Sequence, residues 1–501
     1  MTAGNDITNN VDSPDSPDSP DSPRNRRRKV PIRTKLLFSS GAFQEAAVGA
    51  GALVTVLFYN QILGVSPSLC GTAFLIASLV DAISDPLIGV ISDHFKSRWG
   101  RRHPLMLASA LPITITFYCL YQPIDGLSEI GYFIWLTVFL VLMRFSTTLY
   151  NIPHDALGAE LTDDYEERSS VFGYNAVAVS LTAILMAGVV HYIIFPSTPE
   201  YANGFLDASR YYILAGMGAI LIAVSVVVCS VGTMDQIPYL HDTTKKERLD
   251  YRKFFLELSI LLRNRSYVAV CLCMLTIYAG LGIYGVVGTY AYVYVYSLST
   301  EEMFIGGLAK IPGVLTALPL LIFLSKRMEK KQIFMLTTAT MCILISLPHI
   351  LKILDWFPGN ESPFLLVALF LPVLLGFMIY PVSGIVIDSQ LVDIADEHEY
   401  RTGSRAEGII FSIRSFAIKT TSGLGGFIAG FGLELIGFPQ DAEVGSLPPE
   451  TVTGLLAIIG PVYLLFYLLG IGLMAFYNID KNRLERILKE LERRRKAVPT
   501  V

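Results

Sequence analysis

Charge is what this sequence has least of: Asp, Glu, Lys and Arg together make up 16% of its 501 residues, against 52% for the hydrophobic types. So few charges cannot cover a soluble chain of this length, and a mean hydropathy of +0.51 agrees. Cysteine is nearly as scarce. All six (Cys70, Cys119, Cys229, Cys271, Cys273 and Cys342) fall inside apolar segments, where they read as small core residues and imply no disulfide framework. Cys271 and Cys273 are two apart, so on a helix they point about 200° apart and cannot share a metal. No Gly-Lys-Ser loop is present to cradle phosphates, which argues against an ATP-driven pump, and no catalytic residue set stands out. A cleavable signal is also missing, because the basic run Arg24, Arg26, Arg27, Arg28, Lys29 follows an acidic repeat and leads directly into a long apolar stretch.

What the chain does have is long apolar windows, each able to cross a hydrocarbon core that takes about 20 helical residues. They recur near 36–63, 67–93, 104–122, 131–157, 171–196, 211–233, 266–297, 303–325, 332–354, 363–388, 406–436 and 452–478. The expected fold is an all-α membrane protein of twelve transmembrane helices in two pseudo-symmetric six-helix bundles. Residues 1–35, with Asp12-Ser13-Pro14 repeated four times through Pro23, read as a disordered cytoplasmic tail. The first bundle is expected over 36–233, a cytoplasmic linker over 234–265, the second bundle over 266–479, and an amphipathic tail on the inner leaflet over 480–501. With both termini inside, the outer loops hold only Arg210 and Lys352 and the spans only Arg144, Lys310, Arg414 and Lys419; every other Lys and Arg lies inside.

Each bundle repeats a charge pattern. Span 2 is followed by Asp93, Lys96, Arg98, Arg101 and Arg102, and span 8 by Lys326, Arg327, Lys330 and Lys331. Span 4 is followed by Glu160, Asp163, Asp164, Glu166, Glu167 and Arg168, and span 10 by Asp393, Asp396, Glu397, Glu399, Arg401 and Arg405. From these we expect a cytoplasmic gate of Asp93, Arg101, Arg102, Arg168, Asp393, Asp396, Arg405 and Glu407, with ion pairs locking one bundle to the other. A solvated loop with no locking role is the alternative.

Two carboxylates break the apolar run of span 2, in Leu79-Val80-Asp81-Ala82-Ile83-Ser84-Asp85-Pro86. On a helix Asp81, Ser84 and Asp85 share a face of about 100°. Pro86 leaves the Ala82 carbonyl without its usual partner beside them. Each acid costs roughly 2.5–3.5 kcal/mol at the centre of a span, so the pair must face a polar interior. An oxygen-only set of this kind suits a hard coupling cation, with sodium and proton both fitting; a plain bond to a neighbouring helix is the blander reading.

The run Asp81 to Pro86, followed by Ser97-Arg98-Trp99-Gly100-Arg101-Arg102, resembles the signature of the glycoside-pentoside-hexuronide:cation symporters. These are a branch of the major facilitator superfamily typified by melibiose permease. Asn151-Ile152-Pro153, Asp393 to Tyr400, Arg405-Ala406-Glu407-Gly408 and Lys419 extend the likeness over about residues 36 to 437. The resemblance implies that Asp81, Ser84, Asp85 and Thr148 hold the cation, that Lys419 stands beside it as a coupling residue, and that Glu45 binds substrate hydroxyls. It also marks departures. Asn151 replaces an acid, Asp155 a stacking tryptophan and Ala176 falls near a sugar-binding arginine, so galactoside specificity is not inherited. A cation there would have to come from Arg144 or Arg414. Asn151, Asp155 and His154 join Glu45 as candidate substrate residues, His154 either bonding substrate or satisfying a helix carbonyl.

In span 7, Tyr292 to Tyr296 read as an interfacial belt, and Gly280, Gly282, Gly285 and Gly288 as sites of close packing. The implied activity is cation-coupled symport of a sugar or glycoside. Symport of a lysolipid or organic acid on the same fold is the alternative, and a non-transporting sensor is a third reading that the paired acids and Lys419 disfavour. No cofactor beyond the coupling ion is expected. The expected partners are a small carbohydrate and the lipid bilayer of the plasma membrane, with no nucleic acid and a monomer as the working unit.

Overall fold

The computed structural model describes residues 29–497 apart from 96, 163, 241–250, 310 and 405–406, so the Asp-Ser-Pro tract, part of the linker and Arg405 lie outside the described residues. Among the described residues the chain is helical, with no strand. The first bundle comprises α1 (Ile32–Ile62), α2 (Pro67–His94), α3 (His103–Tyr121), α4 (Glu129–Glu160), α5 (Glu166–Ile194) and α6 (Ala208–Tyr239). A short helix, α7 (Tyr251–Leu261), leads into the second: α8 (Arg265–Val295), α9 (Thr300–Leu308), α10 (Pro312–Ser325), α11 (Lys330–Ile353), α12 (Leu365–Thr402), α13 (Glu407–Leu435) and α14 (Pro449–Met474). A last helix, α15, spans Lys481–Ala497.

Local chemistry sets these boundaries. Pro67 opens α2, where its missing N–H costs nothing, and Ser128 caps α4 by accepting from the Gly131 N–H at 3.2 Å. Asn264 caps α8, Ser299 and Glu302 form a reciprocal capping box on α9, and Gly403 ends α12 at φ +73°. Among the described residues, ten helices are long and apolar enough to cross a membrane. The expected eighth span is instead divided into α9 and α10, and α13 carries Arg414 and Lys419 within the expected eleventh span.

The described part of the N-terminal tail differs from expectation. Val30 is buried and donates its N–H to Glu167, Lys35 pairs with Glu167 at 2.7 Å, and helix begins at Ile32. These partners on α5 order residues that composition alone left in the tail. The C-terminal tail differs too. Rather than leaving its apolar face to lipid, α15 buries Ile487 and Leu491, sends Arg483 to Glu397 and Arg494 to the Tyr400 carbonyl, and so docks on the end of α12.

The bundles are joined at the end opposite the chain termini, here called the outer end. Tyr290 and Tyr294 on α8 donate to Asn60 (3.0 Å) and Gln61 (2.9 Å) on α1, and Gln61 also donates to the Pro439 carbonyl at 2.9 Å. Asn203 donates to the Leu298 carbonyl and the Gly204 N–H to Thr300. Tyr290, Tyr294 and Tyr296 are nearly inaccessible. Of the expected lipid-facing belt, Tyr294 is therefore part of a seal between bundles, together with Tyr290, while Tyr292 and Tyr296 bond Tyr284 and His349 within the second bundle. Both α1 and α8 finish in a π turn, Phe58–Ile62 and Ala291–Val295, and such a wider turn re-aims the side chains it carries.

Below the seal, α2 and α13 cross on bare backbone. A Cβ on Gly430 would stand 2.1 Å from the Pro67 carbonyl oxygen, and one on Gly71 would stand 2.8 Å from that of Gly426. At the inner end the gate residues form pairs within each bundle. Arg102 meets Asp93 and Glu160 (2.7 Å each) and Arg101 meets Glu160, while Lys330 meets Asp393 and Arg168 donates to the Thr162 carbonyl. None of these pairs locks one bundle to the other. The described contacts between bundles that are named above lie at the outer end, while Asp396 and Glu407 also make interactions at the inner end.

Candidate functional site

The site grows from α2, which turns Asp81 and Ser84 inward: both are 4% exposed. Thr148 on α4 faces them, its Oγ1 3.2 Å from Asp81 Oδ1 and 2.9 Å from Asp85 Oδ1, so its single proton can go to either carboxylate. Ser84 donates its hydroxyl to the Asp81 carbonyl at 3.2 Å and keeps its lone pairs for another partner. From the other bundle, Lys419 on α13 reaches Asp85 as an ion pair. The structure thus brings Asp81, Ser84, Asp85, Thr148 and Lys419 together at the contact between bundles. It adds Arg144, which the sequence offered only as a cation for substrate and whose Nη1 lies 3.3 Å from Asp81 Oδ2. Asp81, Ser84, Asp85 and Thr148 offer oxygen ligands, as a hard cation requires, but both carboxylates already carry a cationic side chain.

The candidate substrate residues divide. Glu45 on α1 is exposed within the fold. Asp155, with its side chain 72% exposed, is open to the same space, and Asn151 sits one turn before it, half-buried. His154 is turned away. Its Nε2 lies 3.0 Å from the Phe38 carbonyl and its ring stacks on Phe38 at 4.1 Å, so it satisfies backbone beside the bend at Ser40 and Gly41 and leaves the substrate set. Further along Glu45's face, Gly49, Ala52, Leu53 and Val56 meet Gly282, Gly285 and Val286 of α8 around a cavity of about 300 Å³.

Each arginine faces a carboxylate. Arg144 is held by Asp81, and Arg414 makes a two-point pair with Asp388 on α12, at 2.5 and 2.9 Å. Asp388, a carboxylate at the end of the apolar run of span 10, carries the same signal in the sequence as Asp81.

Comparison with known proteins agrees with this architecture. The inner membrane symporter YicJ of Escherichia coli (strain K12) is 27% identical over 445 residues, covering 88% of this chain and 90% of that one. The isoprimeverose transporter of Lactiplantibacillus pentosus is 24% identical over 444 residues, covering 88% and 86%. The fold is similar to that of the E. coli xylose transporter XylE in an inward open conformation, with a TM-score of 0.58 at 14% identity over 92% of this chain and 99% of that one. Residues 37–481 match the family model described as MFS/sugar transport protein, and the chain accordingly belongs to that family of multi-pass membrane transporters.

Proposed function

We propose that this chain is a cation-coupled symporter of a sugar or glycoside that works by alternating access. The observation that carries the reading is the meeting of Asp81, Asp85 and Thr148 with Lys419 across the line between bundles. A cation and a rocking motion can act on each other there, because the same carboxylates face both the ion and the moving partner bundle. Asp81, Ser84, Asp85 and Thr148 supply oxygen ligands, sodium or a proton being the coupling ion, and Glu45, Asp155 and Asn151 offer acceptors and an amide to substrate hydroxyls. The apolar cavity beyond Glu45 suits the less polar part of a glycoside. The working unit is a monomer in the cell membrane. Uptake over a panel of labelled sugars, glycosides, uronates and lysolipids, with and without sodium, tests this; accumulation of lysolipid alone overturns the carbohydrate assignment.

Two expectations follow from the same residues. Glu45→Gln should weaken substrate binding about tenfold or more while leaving cation binding nearly unchanged, since a hydrogen bond to a charged group contributes roughly 1.5–3 kcal/mol. Isothermal titration of sugar and of sodium on the purified variant separates the two effects, and equal loss of both moves Glu45 out of the pocket. Both termini should be cytoplasmic, from the placement of Lys and Arg. Reporter fusions after Lys29 and Val501 that read as external would reverse the topology.

A further inference from the structure

The charge count at the coupling site leads beyond its ligand set. Asp81 and Asp85 contribute two formal negative charges, and Arg144 and Lys419 contribute two positive ones. The site is balanced before any ion arrives. Arg144 cannot be explained as an anchor at the membrane surface, because it lies fifteen residues from Glu129 and sixteen from Glu160, roughly 22–24 Å along the helix from either end of α4. It stands one turn from Thr148 on the same helix face, and the side chain of its partner Asp81 is 6% exposed.

We propose that Arg144 is the resident counter-cation of Asp81 and a determinant of ion specificity: a metal cation takes Asp81 as a ligand only by displacing the guanidinium. This rests on Asp81 and Asp85 forming the coupling site. A guanidinium and a metal ion on one buried carboxylate repel each other with little water to screen them, so their occupancies exclude one another. Lys419 leaves Asp85 when the bundles separate, because it belongs to the other bundle. Arg144 and Asp81 lie within one bundle, and their pair survives that motion. The wild-type site therefore has a weak demand for sodium, and removing Arg144 creates a strong one.

The test is the thermal unfolding midpoint of the full-length purified protein, titrated with NaCl or LiCl against choline chloride at fixed ionic strength. Arg144→Gln should show a saturable rise at a sodium concentration at least about tenfold below any seen for wild type, and adding Asp85→Asn to that variant should remove it. If wild type already saturates at the same concentration as Arg144→Gln, and Asp81→Asn and Asp85→Asn each abolish the response, the role of Arg144 is overturned and the coupling site stands. A response that survives in the doubly neutralised Asp81→Asn, Asp85→Asn protein overturns the site itself. No response in any variant overturns the role of Arg144. Where Arg144→Gln is not recovered folded, Arg144→Lys decides: its shorter reach should lower the sodium midpoint, and a midpoint equal to that of wild type overturns the proposal.

Discussion

Asp85→Asn should reduce gradient-driven accumulation to simple equilibration, with the internal substrate concentration no longer rising above the external one, while downhill exchange continues. Asp85 is the carboxylate that touches both bundles, through Thr148 on one side and Lys419 on the other. Coupling free energy is reciprocal, so a cation that tightens substrate must be tightened by it; a typical coupling of about 1–3 kcal/mol disappears when the shared carboxylate is neutral. Asn keeps the volume, which removes packing as an explanation, but it takes the carboxylate charge away from Lys419; the two side chains are 37% and 19% exposed, so the stability lost is well below the roughly 3–5 kcal/mol of a fully buried pair. The control is Asp85→Asn combined with Lys419→Gln, which removes both charges and should restore abundance without restoring accumulation. Counterflow and concentrative uptake in proteoliposomes measure the two activities separately. Should Asp85→Asn still concentrate substrate with unchanged cation dependence, the coupling site is elsewhere.

Gly430→Leu should have the second large effect, opening the outer end. The crossing of α2 and α13 leaves no room for a side chain: even a Cβ would stand 2.1 Å from the Pro67 carbonyl oxygen, and backbone cannot give way as a flexible side chain can. Overpacking of this kind costs about 1–3 kcal/mol, and the cost falls on the conformation in which the outer halves touch. A difference of that size shifts a two-state population about 5–150-fold. Cys70 provides a native reporter, since it is fully buried at the outer end of α2 beside Tyr59 and Tyr290. A membrane-impermeant maleimide added from outside should label Cys70 in Gly430→Leu far faster than in wild type, with Cys70→Ser setting the background. Gly430→Ala should give a smaller change in the same direction. Protected Cys70 together with normal uptake would show that the crossing is not part of the moving interface.

The sequence and the structure part company where tertiary neighbours decide the outcome. Period and hydropathy were enough to place Asp81, Ser84 and Asp85 on one inward face, because a helix fixes that relation locally. They were not enough for Arg144, since nothing in a linear pattern says which carboxylate a lone intramembrane arginine will meet. Lys419 came from family resemblance, as a contact between α2 and α13 has no local signature. Tyr290 and Tyr294 show the same limit. Tyrosine at the end of a span fits a lipid interface equally well by composition, and only the approach of Asn60 and Gln61 makes it a seal. His154 had two readings, and the bend at Ser40 and Gly41, which exposes the Phe38 carbonyl, selected one. Among the described residues the expected eighth span is broken into α9 and α10, a division that an apolar window by itself does not show.

The pairing of Asp81 with Arg144, Asp85 with Lys419 and Asp388 with Arg414 also has an electrical meaning. These six groups sum to zero, so when the unloaded protein reorients they carry no net charge through the field. A membrane potential does work of about 2.3 kcal/mol per elementary charge per 100 mV, and on that limb of the cycle it finds nothing here to act upon. A monovalent cation bound among these groups adds one charge to the loaded limb, and for an uncharged substrate the steady current then counts the cations delivered with it.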